Sequence, residues 1–129
     1  MTAELRWSVT AAQIDAFAEL SGDFNPLHVD AGFAKARGFA DRVAHGLLLG
    51  SNVSTLMGMV LPGRDCLLLE VQLSWPKPVY PGDEILLTSE VVELSEEQKL
   101  LRVKIKAVTR RDAQMVTVGR GAVLCQVQY

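Results

Sequence analysis

Apolar residues change their spacing near the middle of the chain. Up to about Leu61 they recur at helical intervals among many Ala, Gly and Leu; from Cys66 onward they are β-branched and alternate with polar positions. Ile14, Phe17, Ala18 and Leu20 supply much of one apolar face, so the spacing predicts a helix over Ala11–Leu20. Thr10 and Gln13 form its capping box, and Ser21-Gly22 ends it. Asp30 caps a short helix through Phe33 and Ala34 that stops near Gly38. A long helix is expected from about Val43 to Val60, stopped by Pro62-Gly63. Leu47, Leu48, Leu49, Val53, Leu56, Met57, Met59 and Val60 make it apolar nearly all round, which predicts burial on most sides. Along it, Gly46, Gly50, Ser54 and Gly58 fall four apart, a row of small residues open to close approach by another backbone or a ligand.

Four strands are expected in the second half, over about Cys66–Trp75, Glu84–Glu93, Leu100–Val108 and Met115–Gln128. In the third, Leu101, Val103, Ile105 and Ala107 alternate with Arg102, Lys104 and Lys106, so one face is wet. Pro76, Pro78 and Pro81-Gly82-Asp83 separate the first two strands. Ser95–Gln98 and Arg110–Ala113 are hairpin-length turns, and Gly119 and Gly121 predict a bulge or sharp bend. A strand near Leu5–Val9 completes the sheet. The outcome is an α+β fold, an antiparallel sheet wrapped around one long helix, with no repeat or linker dividing residues 1–129.

Composition narrows the function. A chain of 129 residues, 49% hydrophobic and 22% charged, is one folded domain rather than a disordered segment. Thirteen Lys and Arg against fifteen Asp and Glu leave a net charge of −2, without the basic excess of a nucleic-acid or anionic-membrane binder. Cys66 and Cys125 lie far apart in sequence, with no metal-ligand spacing, and two thiols in a chain this short fit a reducing compartment. No apolar leader and no run of about 20 apolar residues is present, so a soluble, cytoplasmic domain is expected.

Candidate chemistry concentrates in Leu20-Ser-Gly-Asp-Phe-Asn-Pro-Leu-His28. Pro26 keeps Asn25 out of the helical region, so Asp23, Asn25 and His28 sit on a turn anchored by Phe24 and Leu27. Residue types alone leave two readings open. Asp23 and Asn25 organise a turn while His28 is a core histidine, or the turn brings a carboxylate and an imidazole together in a partly dry site.

This segment resembles the signature of the MaoC-like, or type 2, (R)-specific enoyl-CoA hydratases, through Phe17, Leu20, Ser21, Gly22, Asp23, Asn25, Pro26, Leu27, His28 and Ala34. Val43-Ala44-His45-Gly46-Leu47-Leu48 is similar to the family's helix-opening segment, and Lys77–Asp83 to its proline-rich entry to the second long strand. The resemblance implies a hot-dog fold, usually a homodimer with sites at the subunit interface. It implies that Asp23 and His28 are the catalytic pair and that the Gly46 N–H is the oxyanion donor. Ser54 corresponds to an assisting helix serine. The substrate is then an acyl-CoA thioester, and no metal or other cofactor is expected.

Hydrating a trans-2-enoyl thioester needs a base for the water that attacks C3, a proton for C2, and stabilisation of enolate charge on the thioester oxygen. Asp23 as base with His28 delivering the proton meets the first two needs, and the reverse assignment stays open. A helix N-terminus at Gly46 meets the third. Asn25 is a substrate-binding candidate whose simpler task is to hold the loop, and His45 reads as structural. Leu47, Val53, Met57 and Met59 are candidates for the acyl pocket, whereas the many Lys and Arg single out no phosphate ligand. Dehydration of acyl-carrier-protein substrates, a hot-dog thioesterase and a non-catalytic acyl-CoA-binding subunit are the competing readings.

Overall fold

A computed structural model describes residues 1–127; the last residue of the expected strand Met115–Gln128 lies outside them. Chain order is β1 (Thr2–Ser8), α1 (Ala11–Ser21), α2 (Pro26–Val29), α3 (Ala31–Ala36), α4 (Gly46–Thr55) and a π-helical turn (Leu56–Val60). β2 (Cys66–Ser74), β3 (Glu84–Ser95), β4 (Leu100–Arg111) and β5 (Gln114–Val127) follow. The strands form one antiparallel sheet in the order β1-β3-β4-β5-β2. Its inner face, including Ile85, Leu87, Val103, Ile105 and Val123, packs on Leu48, Leu49, Val53, Leu56 and Met57 of α4 and the turn that extends it. This is the α+β architecture anticipated above.

Local signals hold where they act locally. The Gln13 amide N–H donates to Thr10 Oγ1 at 3.1 Å, while Gln13 Oε1 accepts from the backbone of Thr10 and from Trp7 Nε1, each at 3.0 Å. The cap therefore also fastens β1 to α1. Gly22 closes α1 in the left-handed conformation (φ 79°), and Asp30 caps α3 by accepting from Phe33 N. Ala107 opposes Gly119 while Val108 opposes Thr117, so β5 carries the expected bulge at this point. Gly121 is a close approach, since a Cβ there would lie 1.8 Å from the Gln72 carbonyl oxygen on β2.

Two expectations for the long helix are corrected. It starts at Gly46, not Val43, because the backbone before it is committed elsewhere. Val43 N–H donates to Leu27 O at 3.1 Å and Ala44 N–H to Val79 O at 2.7 Å, which holds Val43–His45 extended between the signature loop and the proline-rich loop. Nor is it buried on most sides within the chain: Leu47 is 66% and Met59 79% exposed, with Val60 also open. Among the described residues, no helix is long and apolar enough to cross a membrane.

The proline-rich loop is pinned from both ends. Asp83 accepts from Arg111 and from the Tyr80 amide, and Arg111 also donates to the Pro78 carbonyl. Burial beside Cys66 pushes the Cys125 thiol up to about 12, so it stays protonated and unreactive at neutral pH.

Candidate active site

Three segments meet at the N-terminal end of α4. The first is the turn before α2. Asn25 takes φ −51° and ψ 129°, as the following proline requires, and its side chain caps α2 by accepting from Leu27 N at 3.0 Å. The Asp23 carboxylate divides its two oxygens. Oδ1 accepts from Asn25 N at 3.2 Å, while Oδ2 faces His28 Nε2 at 3.7 Å. The second segment, Val43–His45, fixes the imidazole. Val43 O lies 2.6 Å from His28 Nδ1, and a carbonyl only accepts, so Nδ1 carries the proton. Nε2 of neutral His28 is then a lone-pair acceptor pointed at a second acceptor. Their separation is too long for a direct hydrogen bond and is suited to two acceptors sharing one water by both of its hydrogens.

The third element is α4 itself. Gly46 occupies its first position, where the N–H has no partner within the helix. The Trp75 indole lies so close that a Cβ on Gly46 would sit 3.0–3.1 Å from three of its ring carbons. His28, His45 and Gly46 line one cavity of about 320 Å³, walled by Trp7, Phe39, Leu49, Trp75 and Val79 and with Lys77 among its lining residues. Asp23, half exposed, stands beside it.

Asp23, His28 and Gly46 are therefore brought together, and Asn25 acts in the loop as its cap. Ser54 is not part of this group: it is exposed, eight residues beyond Gly46, and does not line the cavity. At about 100° per residue those eight steps turn its side chain roughly 80° away and two turns down the helix. The acyl-pocket candidates are also displaced. Val53 and Met57 are spent in the core, and Leu47 and Met59 project outward. Aromatic residues that periodicity passed over, Trp7, Phe39 and Trp75, form the walls instead. Trp75 stands where β2 ends against Pro76, a position from which a large ring turns away from the ladder.

His45 is the other residue whose part here local reading understated. It is buried, stacks on His28 with ring centroids 3.9 Å apart, and places Nε2 3.0 Å from the Asp23 backbone carbonyl. Asp23, His28 and His45 each offer a ligand atom within 4.8 Å of the others, yet they do not fit a metal. The two rings are inclined by only 25°, so their in-plane lone pairs run side by side instead of converging.

The MaoC-like domain family model matches residues 1–116. An (R)-specific enoyl-CoA hydratase of Aeromonas caviae is 41% identical over 107 residues, covering 83% of this chain and 80% of that protein. Another (R)-specific enoyl-CoA hydratase, from Rhodospirillum rubrum, is 31% identical over 126 residues, 93% of this chain and 88% of that protein. The solved structure of an (R)-hydratase from A. caviae superimposes with a TM-score of 0.91 at 35% identity, covering 98% of this chain and 94% of that one.

Proposed function

Because the chain belongs to the MaoC-like domain family, we propose that it is an (R)-specific enoyl-CoA hydratase, adding water reversibly to a trans-2-enoyl-CoA to give the (R)-3-hydroxyacyl-CoA. One observation carries the reading: two acceptors 3.7 Å apart, Asp23 Oδ2 and His28 Nε2, stand beside a cavity that also holds the unpartnered N–H end of α4 at Gly46.

The chemistry follows from that arrangement. A water held by both hydrogens presents its lone pair outward, toward C3 of a substrate in the cavity. As it attacks, one proton passes to the Asp23–His28 pair, and electron density moves through C2 to the thioester oxygen. The Gly46 N–H, reinforced by the helix dipole, stabilises that oxyanion. The pair then returns a proton to C2 and ends the cycle in its starting protonation state. Asp23 is assigned as the base on the water, and His28, whose Nε2 takes that proton over from Asp23 and so becomes an imidazolium, as the partner that delivers it to C2. Each step is internal to this chain and the thioester, so no cofactor enters the scheme. Asn25 supports the site from the loop, and the walls formed by Trp7, Phe39 and Trp75 take the acyl or pantetheine portion.

The test is incubation with trans-2-enoyl-CoA esters of several chain lengths. Expected are loss of enoyl absorbance without release of free thiol, and an (R) product on chiral analysis. Thiol release would replace the reading with a thioesterase, and hydration confined to carrier-protein substrates would replace the carrier.

The working form is a homodimer joined through β2. The two edges of the sheet differ sharply. Along β1 the residues outside the core are Thr2, Glu4, Arg6 and Ser8, which discourage pairing, whereas β2 exposes Leu67, Leu68, Leu69 and Val71 by 39–50%. Met59 and Val60, on the π-helical turn that touches both β1 and β2, are exposed apolar residues as well. Sedimentation at micromolar concentration is expected to give twice the monomer mass, and a charge introduced by Leu68→Glu to shift it toward monomer; a monomeric wild type would refute the dimer. Residues 1–129 serve as one domain, supported by a core that runs without a break from Val9 to Val127. A cytoplasmic setting is favoured by the free thiols of Cys66 and Cys125.

A further inference from the structure

We propose that His45 is a positioning residue, an imidazole that sets the Asp23 backbone and the His28 ring in register while its own main chain opens the helix at Gly46. The proposal rests on the hydratase reading for its kinetic consequences, and on geometry for the rest.

The tautomer follows from its neighbours. His45 is 3% exposed, and its Nε2 lies 3.0 Å from the Asp23 carbonyl oxygen, so Nε2 must carry the hydrogen. Nδ1 is then the lone-pair atom, and it is buried without a hydrogen-bond partner. Although His45 occupies the capping position of α4, its side chain makes no cap. Among the described residues nothing accepts from a hydrogen on Nδ1, and His28 packs on the ring's face. The Phe17 ring lies 4.8 Å from that of His45, and Asp23 meets the imidazole through its backbone carbonyl while a carboxylate oxygen stands within 4.8 Å of a His45 ring nitrogen.

The stranded nitrogen is itself informative. A leucine or phenylalanine would fill the same space with no buried polar atom left unpaired, so packing alone does not account for a histidine here. What the imidazole adds is a donor on one edge and a flat face. The donor ties the Asp23 main chain, whose N–H donates to Ser21 Oγ within its own exposed turn, to the segment leading into α4. The face settles the His28 ring plane, which the single bond to Val43 O leaves free to tilt. Together they hold the 3.7 Å spacing between Asp23 Oδ2 and His28 Nε2 on which water binding depends.

His45→Phe keeps a flat ring and removes the donor; His45→Gln restores a donor near the Nε2 position without the ring. Both are compared with wild type for kcat, KM and Tm, and the wild-type His45 tautomer is read by long-range ¹H–¹⁵N correlation. Expected for the Phe variant is a fall in kcat of roughly 10–100-fold with KM within about twofold. The Gln variant should recover a substantial part of that loss, and His45 should show the Nε2–H form. Full kcat in His45→Phe, losses that track Tm equally in both variants, or a His45 protonated at Nδ1 near neutral pH would each overturn the proposal. Absence of turnover in the wild type would instead sink the hydratase reading, and the tautomer would then decide the positioning role.

Discussion

Asp23→Asn is expected to lower kcat for enoyl-CoA hydration by roughly 10³-fold while leaving Tm and KM close to wild type. The substitution is mild for the fold because the asparagine keeps an Oδ1 to accept from the Asn25 amide, so the turn that carries it survives. It is severe for the chemistry. In place of the Oδ2 that faces His28 Nε2, an amide group would donate hydrogens rather than accept them. A water at this point would lose one of its two acceptors, and the imidazolium formed during turnover would lose its counter-charge. Steady-state loss of enoyl absorbance measures the effect. Combining Asp23→Asn with His28→Ala should cost little more than the worse single change, since the two groups work as one unit. Near-normal turnover in Asp23→Asn would place the base elsewhere.

What was legible in the chain was whatever is decided by near neighbours. The Thr10–Gln13 capping box, the Asp30 cap and the alternation of Leu101 to Ala107 each rest on spacings of two to four residues, and the structure reproduces them. The start of α4 was not legible for the complementary reason. Val43 and Ala44 look like helix in a local window, but their backbone groups bond to Leu27, His28 and Val79, fifteen to thirty-five residues away. The same committed backbone makes the site, because it is what delivers His28 and Gly46 to one cavity.

Burial was legible only as a demand and not as an address. Leu47, Met59 and Val60 on the long helix ask for cover, and hydrophobic pattern does not distinguish the chain's own sheet from a second copy. The row of small residues shows a similar limit. Gly46 and Gly50 do meet β2 and its end, at Trp75 and Leu73, whereas nothing lies within contact of Gly58 and Ser54 is exposed. A four-residue repeat drifts about 40° per step around a helix, so one row serves two surroundings. The place of Ser54 in the site came from resemblance, with no support from its own surroundings. His45 is the converse: an apolar-flanked histidine before a glycine carries no local mark of the stacking partner seventeen positions earlier that gives it a task.

Gly46→Pro is expected to remove the oxyanion donor with little disturbance of the helix it opens. Proline suits the first helical position, where its missing N–H breaks no intrahelical bond. The preceding residue, His45, already has φ −59° and ψ 136°, within the extended region that proline imposes on its predecessor. The remaining complication is steric, since any Cβ here comes within 3.0–3.1 Å of the half-exposed Trp75 indole. Gly46→Ala adds the same carbon and keeps the N–H, so the ratio between the two variants isolates the donor. The alanine variant should lose no more than roughly tenfold. The proline variant should lose a further 10²–10³-fold or so in kcat, equivalent to about 3–4 kcal/mol of transition-state stabilisation. A loss shared equally by both would make Trp75 crowding the whole effect and move oxyanion stabilisation to another group. A loss confined to proline would tie the helix opening to the enolate, because the two variants differ there chiefly in whether an amide hydrogen points at the developing charge.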